Sequence, residues 1–253
     1  PAAQAFVRAN RLDRIELDTK EARFGIAAPG KAYLDVREAL DLLGIDEVRA
    51  SEIGIRVYKV ALSWPIEPEG AAEFAQGLEE ILVVEEKRGF VEEQLKSVLF
   101  NRASGLRRVV GKHDDAGRPL LPSHYVMNPT MVARAIVSRL AQFTDVSDME
   151  AKLAVAEALD QEAESGAPAL MRSAFFCSGC PHNTSTRVPE GSQAMAGIGC
   201  HAIAKSIPDR NTELITHMGA EGAHWTGRAP FTERPHVFQN LGDGTYFHSG
   251  LLA

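Results

Sequence analysis

The residues with the most chemical potential in this chain are its three cysteines, Cys177, Cys180 and Cys200. They are spaced C-x2-C-x19-C, with no other cysteine in 253 residues. Thiolates gathered in this way hold a metal or an iron–sulfur cluster, or form a redox pair, more often than they fill a core. Free cysteine also packs as a small hydrophobe. The loop around Cys177 and Cys180, however, is built from Gly179, Pro181, His182 and Asn183 rather than from an apolar run. Glycine and proline there favour a turn over a helix interior. A tetrahedral zinc site made from the three cysteines with His182 or His201 is the competing use of the same ligands.

A second chemical feature is Gly242-Asp243-Gly244, which follows the strand-like HVFQNL and precedes YFHSGLLA, where a helical pattern starts. Glycines let backbone N–H groups approach a phosphate, and the Asp243 carboxylate suits a hard cation such as Mg²⁺ bridging a diphosphate. Asp-Gly is also a common turn, and the strand–loop–helix setting is what separates the two uses. Two other phosphate motifs fail. GLRRVVGKH (105–113) has five residues between its glycines where a P-loop has four, and His113 stands where Ser or Thr is required. Gly197, Gly199 and Ala202 satisfy G-x-G-x-x-A in spacing, but VPEGSQAMA before them is no strand. Nor does an acid follow about 20 residues on in a βαβ setting.

The elements that must present these loops read as alternating strands and helices. ARFGIAA (22–28), IRVYKVALSW (55–64), ILVVEE (81–86) and RRVVGK (107–112) are apolar or β-branched runs that suit buried strands. Between them KAYLDVREALDLLGI, AAEFAQGLEE and FVEEQLKSVLF carry helical spacing, with Gly44 as a stop for the first. Such alternation predicts a parallel sheet with crossover helices. A turn-rich stretch from Asp114 to Pro122 marks a boundary. Two helical patterns over 129–164 then read as a connector, and ESGAPA (164–169) as a hinge. A second α/β unit starts near Met171, with strands predicted at SAFFC, TELITHM (212–218) and HVFQNL (236–241), and mostly helix over SQAMAGIGCHAIAKSI. The expected division is an irregular lead-in over 1–20, an α/β domain over 21–115, a helical connector over 116–170 and a second parallel-sheet domain over 171–253. Loops at the carboxyl ends of parallel strands are where ligands bind, and here three of them carry Cys, His, Asp and Gly.

Composition narrows the class. Apolar residues make up 45% and charged residues 24%, ordinary for a globular protein. The net charge of 27 minus 34, or −7, argues against a general nucleic-acid binder. No apolar run reaches the length of a membrane span, and no signal segment opens the chain. Three cysteines clustered in one region do not make a secreted disulfide framework, so the cytoplasm is the expected compartment. The start at PAAQAFVRAN and the stop within an apolar helical pattern suggest an internal piece of a longer polypeptide.

Three long motifs in order, FCSGCPHNTSTRVPEGSQAMAGIGCHAIA, THMGAEGAHWTGRAPF and HVFQNLGDGTYFHSGLLA, resemble the thiamine-diphosphate-binding domain of the indolepyruvate branch of the 2-oxoacid:ferredoxin oxidoreductase family. Upstream, GIRVYKVALSWPIEPEG and GLEEILVVEEKRGFVEEQLK resemble the transketolase-C-terminal-like domain that precedes it in the fused, long form. The resemblance runs from about residue 22 to the end and is weakest in the connector.

What the resemblance implies is specific. Cys177, Cys180 and Cys200 would ligate a 4Fe–4S cluster, with a fourth ligand outside this chain. Asp243 would ligate Mg²⁺, with Gly242, Gly244 and Thr245 against the diphosphate and Gly199, Cys200 and His201 near the cofactor. The next Mg²⁺ ligand and the glutamate that activates the cofactor also lie outside the chain, so this piece alone is expected to be inactive. The implied reaction is oxidative decarboxylation of a 2-oxoacid, an aryl pyruvate such as indolepyruvate, to an acyl-CoA. Electrons would pass through the cluster to ferredoxin. His182, His201 and His224 are candidate donors to the substrate, with His201 the foremost catalytic candidate. Transketolase-like domains of the first type pack at subunit interfaces, so a homo-oligomer is expected, with coenzyme A and ferredoxin as partners and neither nucleic acid nor membrane. A thiamine-dependent decarboxylase or synthase without a cluster is the competing enzyme, and a zinc-stabilised interaction module the non-enzymatic alternative.

Overall fold

The computed structural model describes residues 1–102, 105–166 and 173–250, which form two compact units dividing between Ala167 and Pro168. The hinge residues 167–169, the start of the second unit near Met171 and the last three residues of the chain fall outside the described set. Among the described residues no helix is long and apolar enough to cross a membrane.

The first unit is organised by β2 (Phe24–Pro29), β3 (Ile55–Val60), β4 (Glu80–Val83) and β5 (Arg108–Val110), four parallel strands in the order β3-β2-β4-β5. Their side chains alternate between two cores. Phe24, Ile26 and Ala28 of β2 face one layer, which holds α2 (Gly30–Leu43), α3 (Glu47–Ile53), α6 (Pro129–Leu140) and part of α7 (Ser147–Ser165). Ala27 and the alternate residues of its neighbours face α4 (Pro68–Phe74) and α5 (Phe90–Leu99). A parallel sheet needs both faces covered, and each fully buried Ile, Leu or Phe contributes about 1.5–3 kcal/mol.

Two expectations need correction here. The lead-in is not irregular. Ala2–Asn10 form α1, which buries Val7, and Arg14–Leu17 form β1, which pairs antiparallel with β3 at the sheet edge. Pairing supplied by β3 fixes this short strand, which no local pattern announces. Nor is α6 a connector. Asn128 caps it by accepting from Met131 N at 2.8 Å, Pro129 opens it, and Val132, Ala133, Ile136 and Leu140 are buried in the same core as β2. Its Arg139 is 2% exposed and pairs with Glu80, 0% exposed, on β4, with Nη2 2.8 Å from Oε2. The apolar stripe of α6 is too wide for a solvated linker.

The second unit holds a smaller parallel sheet, β6 (Ala194–Ala196), β7 (Thr212–Ile215) and β8 (Phe238–Asn240), in the order β7-β6-β8. Its helices are short: α8 (His182–Ser185), α9 (Ala223–Arg228) and α10 (Asp243–Thr245), with a 3-10 turn over Cys200–Ser206. The central strand lies within the stretch expected to be helical. Ala194, Met195 and Ala196 are wholly buried and hydrogen-bonded into neighbours on both sides, so tertiary pairing overrides the helix propensity of Ala-Met-Ala. SAFFC, conversely, forms no strand.

Two outcomes test these contacts. Arg139→Ala leaves the buried Glu80 with only Arg108, at 3.1 Å, as a cationic partner and lowers the stability of the first unit by about 1.5–3 kcal/mol in a denaturant titration. The paired change Glu80→Leu with Arg139→Leu loses less. The second outcome concerns Glu67, which caps α4 by accepting from Gly70 N at 2.6 Å and Glu69 N at 3.2 Å, and which receives Arg8 Nε at 3.0 Å. Burial pushes its carboxyl up, but Arg8 and the two N–H groups outweigh that and hold it below its usual 4.5. A depressed carboxyl stabilises fully above its unfolded value and ceases to do so as pH falls through its folded value. Glu67→Gln therefore flattens the loss of thermal stability below about pH 4.5.

Candidate functional site

Loops 197–199, 216–222 and 241–242 leave the carboxyl ends of β6, β7 and β8. The chain leaves β6 toward β7 on one side and returns to β8 on the other, which makes a topological switch point between β6 and β8. Gly197 N donates to Asn240 O at 3.1 Å and ties the two loops together. A cavity of about 520 Å³ opens there, lined by His182, His201, Asn240, Gly242, Asp243 and Tyr246 among others. Two residues singled out in the sequence, His201 and Asp243, thus share one cavity although 42 positions apart (243 minus 201).

His201 is 6% exposed and its Nε2 is buried without a hydrogen-bond partner. Burial pushes its pKa down, nearby His182 adds to this and Glu221 opposes it, so the ring is neutral at pH 7. His182 stacks on His201 with centroids 6.2 Å apart, and Phe176 stacks on His182 at 5.6 Å. Amide atoms of Gln239 and Asn240 on the cavity wall are likewise buried and unpartnered. A Cβ added to Gly242 or Gly244 meets nothing within 4 Å, so the backbone there faces open space. Gly199 is constrained instead. Its φ of +154° disfavours any L side chain, and an added Cβ would stand 2.8 Å from His201 Cε1.

Thr245 differs in orientation from the expectation. It is 1% exposed, and its hydroxyl donates to Glu221 Oε1 at 2.9 Å rather than opening to the cavity. His224 is turned to Met195 Sδ and does not line the cavity. Cys177 and Cys200 are exposed and Cys180 half-buried, all three as free thiols. Cys180 N donates to Cys177 O at 3.0 Å in a tight turn, and Cys180 Sγ lies 3.1 Å from His182 Nδ1. Among the described residues no three His, Cys, Asp or Glu side chains come close enough to hold a metal. Neither the cluster ligands nor the zinc set is therefore gathered in this arrangement.

Sequence reasoning missed Glu221. It is 1% exposed, and Oε2 accepts from Gly219 N at 2.7 Å while Oε1 accepts from Thr245. Burial pushes the carboxyl up, but hydrogen bonds from its own backbone, Thr245 and Gly219, with His201 adding, hold it below the usual range. Gly197 is pressed against it: a Cβ there would lie 2.3 Å from Glu221 Cγ. The available signal was an acid between Gly219 and Gly222 in a carboxyl-end loop. A larger cavity of about 590 Å³ lies in the first unit beside α1 and α4, where Arg8 and Glu67 on its wall are already paired with each other.

These features define an α/β protein with a cavity at the carboxyl edge of a parallel sheet. Residues 14–163 match the indolepyruvate oxidoreductase domain, and the chain belongs to that family. Similar curated proteins include the indolepyruvate oxidoreductase subunit IorA of Thermococcus kodakarensis, 28% identical over 252 residues. The same subunit of Pyrococcus abyssi is 29% identical over 257 residues. In both cases the match covers 92% of this chain but spans only 36% of the relative's length. Solved structures are more distant. A split-gene transketolase aligns with a TM-score of 0.36 at 19% identity, over 52% of this chain and 42% of that one. A 2-oxoglutarate:ferredoxin oxidoreductase from Magnetococcus marinus aligns with a TM-score of 0.34 at 18% identity, over 55% and 24%.

The close approach of Gly197 to Glu221 gives a direct test. Gly197→Ala destabilises the protein by about 1–3 kcal/mol in thermal melts, the usual cost of forcing an extra carbon into a filled site. Gly227→Ala, whose Cβ meets nothing within 4 Å, does not.

Proposed function

We propose that this chain is the part of a 2-oxoacid oxidoreductase subunit that seats thiamine diphosphate and Mg²⁺ at the Gly242-Asp243-Gly244 loop. On this reading the second unit is the cofactor-binding domain, and the first is a transketolase-C-terminal-like domain with a docking role in a homo-oligomer. The observation that carries the reading is the shared cavity: Asp243, Asn240 and His201 converge at a switch point, where open α/β sheets bind ligands.

The residues present suit the cofactor. Asp243 offers a hard oxygen ligand for Mg²⁺, Gly242 and Gly244 leave backbone exposed to a diphosphate, and the orphaned His201 Nε2 is a polar atom in need of a partner. Bound there, the cofactor would supply the carbanion that makes decarboxylation of a 2-oxoacid feasible. His201, buried and neutral, would orient a carboxylate or carbonyl oxygen of the substrate. His182, stacked on it, fixes the plane of the ring. Phe247 and Tyr246 on the cavity wall would offer an apolar face to an aryl pyruvate such as indolepyruvate.

The iron–sulfur part of the reading rests on the spacing of Cys177, Cys180 and Cys200 and on the family resemblance. Among the described residues the thiols are not brought together with other ligands. Coenzyme A as acyl acceptor, ferredoxin as electron acceptor and a cytoplasmic setting complete the proposal.

In the full-length polypeptide, Asp243→Ala weakens binding of Mg²⁺–thiamine diphosphate by about a hundredfold or more in calorimetric titration, since an inner ligand matters at least as much as an outer-sphere one. Binding at wild-type strength would refute the site. Prepared without oxygen, Cys200→Ser carries less iron than wild type, and full iron content would remove that ligand.

A further inference from the structure

We propose that Glu221 is the positioning residue of this site: a buried carboxylate that joins the loops after β6, β7 and β8 and sets the Gly242–Thr245 turn for a diphosphate. The inference rests on the reading of that turn given above and adds a residue which neither motif spacing nor resemblance supplied.

Three contacts converge on one side chain. Oε2 accepts from Gly219 N at 2.7 Å, which closes the loop after β7 on itself. Oε1 accepts from the Thr245 hydroxyl at 2.9 Å, at the last residue of the three-residue helix that begins at Asp243. The aliphatic part of Glu221 fills the space over Gly197, where an added Cβ would be 2.3 Å away. Thr245 and Glu221 are each 1% exposed, so water cannot substitute for the bond between them.

The chemistry favours a positional role over a direct one. A carboxylate in contact with a diphosphate would repel it, and Glu221 does not line the cavity that Asp243 and His201 share. Its charge is balanced locally by one N–H and one O–H donor. Without the carboxylate, the Thr245 hydroxyl has no acceptor and the turn carrying Asp243 loses its tie to the β7 loop. Hydrogen bonds to buried charged groups are among the stronger ones. Losing this one lets the turn sample arrangements in which Asp243 and the adjacent N–H groups no longer face the same point, and affinity falls by the fraction of time spent there.

The test uses the full-length polypeptide and two probes, Mg²⁺–thiamine diphosphate and Mg²⁺ with inorganic pyrophosphate, measured by calorimetry on protein shown to be folded by near-ultraviolet circular dichroism. Glu221→Met, which removes both acceptor oxygens, and Thr245→Val each raise the dissociation constant for both probes by about tenfold or more. Their combination loses no more than the worse single change, because the bond between the two side chains is already absent in either. Thr245→Ser, which keeps the hydroxyl, binds more tightly than Thr245→Val. At saturating cofactor the turnover number falls less than the apparent affinity, a split that general loosening would not produce. Wild-type affinity in either single variant, or losses that multiply in the double variant, overturns the role of Glu221. A wild-type protein that binds neither probe overturns the reading of the turn itself. Should Glu221→Met fail to fold, the contrast between Thr245→Val and Thr245→Ser decides alone.

Discussion

A parallel strand must be followed by a crossover, and the direction of successive crossovers decides where a sheet opens. In the second unit the chain leaves β6 toward β7 and returns to β8 on the far side of β6. No crossover can cover the gap between the carboxyl ends of β6 and β8, so the loops there meet each other and enclose space. The candidate site depends on that gap. It brings His201 and Asp243 to one wall, and it forces the Gly197 and Asn240 backbones into contact. The glycines follow from the same constraint: Gly197 because Glu221 occupies the volume of a side chain, Gly199 because the backbone must turn back beneath His201.

Glu80 and Glu221 are buried carboxylates with different kinds of partner. In the first unit Glu80 meets Arg139 and Arg108 between β4 and α6. Such a pair adds little net stability over apolar residues of the same size. It does penalise any packing of α6 that separates the partners. Glu221 has no cationic partner of this kind and is held by donors from two loops instead. An ion pair between α6 and β4 fixes how layers stack, whereas a carboxylate bonded to loop donors fixes how loops meet.

Much of the scaffold is legible in the sequence because its strands are runs rich in apolar and β-branched residues. β2, β3 and β4 are of this kind, and α2 stops at Gly44 with φ +70° as its sequence implies. The failures share one cause. β6 is three residues, Ala-Met-Ala, between polar and glycine positions, with no periodicity of its own, and exists through pairing on both sides. β1 depends in the same way on β3. The role of α6 depends on a partner 59 positions away, Glu80. In the site, Asp243 stands out because glycines flank it after a strand. Glu221 sits between glycines too, but its meaning lies in Thr245, 24 positions on, and no local pattern reports a distant hydroxyl.

Buried polar groups in native structures are nearly always satisfied, and those that are not mark strain or a ligand. Among the described residues of the first unit, Thr19 is the one buried side chain with an unpartnered polar atom. In the second unit His201, Gln239 and Asn240 have such atoms on the wall of the same cavity, Gln193 and Arg210 have them at the other end of the sheet, and Thr216 and His224 have them away from that wall. Each costs about 1–3 kcal/mol relative to a bonded group. A ligand that satisfies the first three recovers that cost on binding, so affinity is stored in the folded protein before the ligand arrives. A cavity lined by groups already bonded to one another, as Arg8 and Glu67 are beside α1, has nothing comparable to return. This difference, rather than cavity size, is what separates the switch-point cavity from the larger one in the first unit.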